Sequence, residues 1–162
     1  MLFKKELHQE LITRKKQQKT SNLKRNLLEQ LSVLATRKKK STVRLTKNSK
    51  LIKTIINAIK EKKGQNIISL DLRKVNEAVA DFFIICEAGS QPQVRAISEH
   101  VEQEIKKKCD EYPYRHEGMK NLQWVLIDYV NVVVHVMLTE TRKFYKLEEM
   151  WSDAVTDEHE EN

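Results

Sequence analysis

Leu51, Ile52, Ile55, Ile56 and Ile59 recur at the three- and four-residue spacing of one helix face. Ser49 stands where an N-cap side chain accepts a free backbone N–H. Lys62, Lys63 and Gly64 supply a basic last turn and a glycine just past the helix end. The pattern then changes: Ile67 to Leu72 and Phe82 to Cys86 are short, nearly continuous apolar runs, as in strands covered on both faces. After Gly89 the helical period returns with Val94, Ile97, Val101 and Ile105. Ser90 and Gln93 form a capping box, Pro92 is tolerated in the first turn, and Lys106 to Lys108 suit the C-terminal dipole. A loop around Tyr112 to Gly118 leads to two more strands, Trp124 to Tyr129 and Val132 to Leu138. A last helix is predicted from about Thr141 to Ala154, followed by a frayed acidic tail. The order α-β-β-α-(β)-β-β-α predicts an α/β (α+β) fold, a mixed sheet of about five strands flanked by helices.

The final two strands carry the most information. With Val130-Asn131 as a two-residue turn, Tyr129 pairs with Val132. Strand alternation then gathers Val125, Ile127, Tyr129, Val132, Val134 and Val136 on one face, the core side. The opposite face holds Trp124, Leu126, Asp128, Val133, His135 and Met137. An indole, a carboxylate, an imidazole and a thioether among aliphatics suit a docking surface. The competing expectation is that the last helix covers this face, with Asp128 and His135 satisfying each other.

Charge divides the chain. Residues 1–50 hold 15 Lys and Arg against 3 acidic residues, a balance of +12, while residues 51–162 hold 15 against 20, a balance of −5. Residues 1–46 contain no Gly, Pro or Trp, and one leucine stripe at helical spacing (Leu23, Leu27, Leu28, Leu31, Leu34) cannot form a core alone. The expected organisation is a basic, flexible N-terminal extension over 1–46, a domain over 47–154 and an acidic tail over 155–162. No stretch approaches the ~20 apolar residues of a membrane-spanning helix. An apolar signal core is lacking, and Glu6 and Glu10 count against a transit peptide, so a cytoplasmic location is expected. Cys86 and Cys109 lie in no metal-binding spacing and are expected as free thiols.

The run Trp124-Val-Leu-Ile-Asp128-Tyr129, then Val133-Val-His135-Val, then Arg142-Lys-Phe144-Tyr145-Lys-Leu147-Glu148-Glu-Met-Trp151 resembles the C-terminal signature of the ribosomal silencing factor (Iojap-like) family. Asp81-Phe82-Phe83-Ile84-Ile85, Gly89-Ser90 with the following Pro92 and Val94, and Glu117-Gly118 resemble its earlier motifs; the likeness covers about residues 50–154. One departure is Val130-Asn131, where the family usually has Gly-Asp. The resemblance implies a translational repressor that binds the large ribosomal subunit through its protein numbered fourteen and blocks subunit association. It implies partner contacts at Trp124, Asp128, His135, Met137, Arg142, Tyr145 and Trp151. An assembly or docking role on the same surface is the alternative, and a homodimer off the ribosome would use the same apolar face.

The resemblance also implies a nucleotidyltransferase-like topology, so an enzyme must be weighed. Gly89-Ser90 is present, but the strand carboxylate pair that holds two metal ions in such enzymes is missing. Glu99, Glu102 and Glu104 fall on a helix, and Asp71 and Asp81 stand alone. No phosphate-binding glycine loop exists among three glycines. The expectation is therefore no catalysis, no metal and no cofactor. The basic clusters Arg14-Lys15-Lys16 and Arg37-Lys38-Lys39-Lys40 suit either salt-sensitive contacts to ribosomal RNA or a merely solvated extension.

Overall fold

The structure, a computed structural model, describes residues 45–76 and 78–160. Helix α1 spans Lys50–Glu61, and Ser49 caps it as expected, its hydroxyl accepting the N–H of Ile52. Strand β1 is Gln65–Asp71, β2 is Phe82–Ala88, and α2 runs Gln91–Cys109 behind the Ser90 N-cap. Then come β3 (Arg115–Glu117), β4 (Trp124–Asp128), β5 (Val132–Leu138), α3 (Thr139–Tyr145), α4 (Leu147–Met150) and β6 (Val155–His159). The strands form one six-stranded sheet in the order β3-β4-β5-β2-β1-β6. Only β2 and β5 run parallel; the other neighbours are antiparallel.

The two long helices pack on one face of this sheet. Their apolar stripes meet Phe82, Ile84 and Cys86 of β2 and the Val125, Ile127, Tyr129, Val132, Val134, Val136 set of the hairpin. Fully burying each Ile or Val contributes roughly 1.5–3 kcal/mol, so this cluster is the main support of the fold. Cys86 is buried within it and Cys109 is half-buried, and both are free thiols. Among the described residues no helix is long and apolar enough to cross a membrane.

The structure makes three corrections. The left-handed residue after α1 is Lys63 (φ 57°), not Gly64. Gly64 is required for space: a Cβ there would run into Ile59 Cγ2 and stand 3.3 Å from Ile97 Cδ1. The expected last helix is two short ones, split at Lys146 (φ 48°), whose N–H caps α3 on the Arg142 carbonyl at 2.9 Å. That break turns the chain so that Leu147 enters the sheet face, where it is fully buried. The expected frayed tail is in part a strand, for β6 pairs with β1 from Ile67↔His159 to Asp71↔Val155. It satisfies main-chain groups that would otherwise line an open sheet edge. Ser69 and His159 hydrogen-bond at 2.8 Å, and Lys47 reaches Asp157 at 3.5 Å.

Candidate docking face

The β4–β5 hairpin has the expected register. Trp124 faces Met137, Leu126 faces His135 and Asp128 faces Val133. Tyr129 donates its N–H to the Val132 carbonyl at 2.9 Å, which closes the two-residue turn. The turn is tight: Asn131 N–H also donates to the Tyr129 carbonyl at 2.9 Å, and Val130 between them has φ 71°. A β-branched residue there is strained, and a glycine would not be. Asp128 holds the turn by accepting the Val130 N–H at 2.7 Å.

Alternation therefore sorts the two faces as expected, but the second face is not open. Asp128, His135 and Met137 each have 0% exposure, and Val133 likewise. On this side of the sheet Tyr145 meets Trp124 and Trp151 meets Phe83, while Arg115 stands beside Asp128, so the expectation that Asp128, His135 and Met137 point outward to a partner is corrected. Asp128 and His135 do not satisfy each other either. The Asp128 carboxylate lies 3.9 Å from Arg115 Nε and binds its own turn, whereas His135 Nδ1 accepts the indole N–H of Trp124 at 3.1 Å. Burial pushes the His135 imidazole down to about 3, so it is neutral at physiological pH.

Rings connect the sheet to its cover. Phe83 meets His135 edge-on at 4.7 Å and Trp151 at 5.5 Å. Trp124 lies 5.7 Å from His135 and 5.0 Å from Tyr145, and Tyr145 lies 5.3 Å from Phe144. Trp124, Tyr145 and Trp151 remain partly accessible, Trp151 at one end of this series and Trp124 and Tyr145 toward the other. Phe144 and Met150 are each 46% exposed. These two were not among the expected contacts. Their signal was the register of the final helices, which became readable only once the break at Lys146 was known.

Arg142 is used by the fold. Its Nε donates to Glu148 at 2.7 Å with Nη2 2.6 Å from the same carboxylate, and Nη1 donates to the Asn66 carbonyl at 2.6 Å and lies 3.5 Å from Glu87. Its side chain is 11% exposed, which corrects the expectation of a free contact arginine. The carboxylates weighed for catalysis are engaged as well. Arg73 binds Asp71 through two nitrogens and holds its carboxyl below the usual range. Glu99 pairs with Arg95 at 3.5 Å, Glu102 with His116 at 2.8 Å and Glu104 with Lys108 at 2.5 Å. Arg14, Lys15, Lys16, Arg37, Lys38, Lys39 and Lys40 lie outside the described residues.

The family model described as "Ribosomal silencing factor during starvation" matches residues 45–162. Ribosomal silencing factor RsfS of Halalkalibacterium halodurans is 39% identical over 116 residues, covering 70% of this chain and 95% of that protein. The Bacillus subtilis protein of the same name is 37% identical over 107 residues, 64% of this chain and 86% of the relative. A crystal structure of a Bacillus halodurans protein superposes with a TM-score of 0.60 at 33% identity, covering 69% of this chain and all of that one.

Proposed function

Because this chain belongs to the ribosomal silencing factor family, we propose that it docks on the large ribosomal subunit and holds off the small one, repressing translation. The contact is made against the subunit's protein numbered fourteen, on the face where the subunits join. Repression is steric, and no bond is made or broken. The pairing of Asp71, Glu99, Glu102 and Glu104 with cationic or imidazole partners is consistent with a protein that carries no catalytic step.

The observation that carries this reading is the accessible aromatic strip Trp124, Tyr145 and Phe144 at the edge of the hairpin face. Large amphipathic rings dominate binding energy at protein interfaces, and here they are prearranged by mutual tilted and edge-on contacts. The −5 balance of residues 51–162 suits a basic ribosomal surface. The +12 N-terminal segment adds sequence-independent contacts to ribosomal RNA, and that share of the affinity falls as salt rises.

Sedimentation tests the reading. The full chain, added to purified subunits, is expected to bind mature large subunits and lower the fraction of joined ribosomes. Binding confined to immature particles, or an unchanged joined fraction, overturns the repressor role in favour of assembly. Trp124→Ala is expected to cost about 2 kcal/mol or more of binding, roughly thirtyfold. A cost below ~0.5 kcal/mol removes the hairpin end from the interface. Residues 46–162 should bind more weakly than the full chain and with a shallower salt dependence. Equal affinities and slopes exclude the N-terminal segment from the contact.

A further inference from the structure

The imidazole of His135 is wholly enclosed, yet only one of its nitrogens has a hydrogen-bond partner among the described residues. Nδ1 accepts the indole N–H of Trp124 at 3.1 Å, so the single proton of the neutral ring sits on Nε2, which has no acceptor there. Its register neighbours are Ile85 of β2 and Leu126 of β4, with the Phe83 ring 4.7 Å away. In such apolar surroundings a leucine would carry no unpaired donor. What a leucine could not do is hold the indole.

We propose that His135 is a positioning residue for docking: without touching the partner, it fixes the rotation of the Trp124 ring through Nδ1. Tyr145 confines the same indole from the cover side at 5.0 Å, and the accessible part of the ring is left to the partner. A partly exposed indole without an internal acceptor turns its N–H toward water instead, and docking must then order it again. The inference rests on the reading that Trp124 is a contact residue.

The test uses the full chain with ¹⁵N-labelled tryptophan, the Trp124 indole resonance being assigned by its loss in Trp124→Phe. In His135→Leu that resonance is expected to move and its hydrogen to exchange faster. Binding to purified large subunits falls about tenfold, while the thermal midpoint stays level or rises. His135→Gln, whose side-chain carbonyl can accept the indole N–H, recovers part of the binding. In the Trp124→Phe background, His135→Leu changes binding no further. An indole resonance that stays in place in His135→Leu overturns the positioning role. So does a variant that loses stability in step with binding, or does not fold, since His135 is then part of the framework. Undiminished binding by Trp124→Phe overturns the contact reading instead, so the two failures are distinguishable.

Discussion

The carboxylate of Asp128 accepts the backbone N–H of Val130 at 2.7 Å, two residues further along the same hairpin. Val130 has φ 71°, a conformation that costs a non-glycine residue about 1–3 kcal/mol and persists only where the surroundings impose it. Asp128 is part of that imposition and lies beside Arg115 at 3.9 Å. Asp128→Ala leaves a buried turn N–H without this acceptor, and a loss of about 2–4 kcal/mol of stability is expected. Urea unfolding measures it. Ribosome binding by the fraction still folded should be unaffected. A stable variant that binds poorly would instead make Asp128 a contact.

Tyr129 lies in the core with its hydroxyl buried and without a hydrogen-bond partner among the described residues. Burial pushes its phenol above the usual range. Tyr129→Phe removes a desolvated hydroxyl and keeps the ring, so it is expected to stabilise the domain by about 1 kcal/mol. The thermal midpoint should rise by roughly 4 °C. A fall of that size would reveal a partner for the hydroxyl in solution.

These two residues also mark how far the sequence could be read. The period of two along Trp124 to Tyr129 and Val132 to Met137 assigned each of those side chains to its correct face, because strand geometry leaves no other choice. Alternation carries no information about what covers a face. Asp128 and His135 were therefore expected outside, although the chain returns to this side of the sheet and sets Trp151 on Phe83 only 13 residues after β5 ends at Leu138. The cover was hard to foresee because α3 buries no residue and α4 buries only Leu147, so neither shows an apolar stripe. Strand β6 was hidden for a similar reason. Val155-Thr156-Asp157-Glu158-His159 lies on the sheet edge, exposed at three of its five positions, and reads as polar tail. By contrast, α1 and α2 were legible down to their Ser49 and Ser90 caps, since one buried stripe and one hydroxyl specify each start.

The buried imidazole of His135 sets a pH dependence. Its folded-state value, about 3, lies below the ordinary 6.5, so the unfolded chain binds a proton that the folded chain refuses between those limits. Stability from this group is complete above pH ~6.5 and declines as pH falls toward ~3, by about 1.4 kcal/mol per unit in the middle of that window. His159, also lowered by burial, acts in the same direction. Unfolding free energies of wild type and His135→Leu between pH 4 and 7 isolate the effect from the carboxylates. The variant should lose about one proton's worth of slope. Parallel curves would mean that the folded protein protonates His135 at no cost.

Arg142 fastens the cover to the sheet, and its fork is the reason a lysine cannot replace it. Three guanidinium nitrogens serve Glu148 on α4, the Asn66 carbonyl at the start of β1 and Glu87 on β2. Glu87 in turn accepts from Asn66 Nδ2 at 2.8 Å and from the Thr139 hydroxyl at 3.4 Å, so one cation joins both helices of the cover to two strands. A lysine offers a point charge with no planar fork and can meet only part of this set. Arg142→Lys is expected to cost about 1–3 kcal/mol, within the range for charged hydrogen bonds. Local opening should account for much of the cost. Amide hydrogens of residues 139–150 should exchange faster, while those of β4 and β5 keep their protection. Ribosome binding should weaken as well, because Phe144 and Tyr145 no longer sit in one arrangement before the partner arrives. If exchange in the cover is unchanged in Arg142→Lys, Leu147 and the Phe83–Trp151 contact hold it down without the arginine.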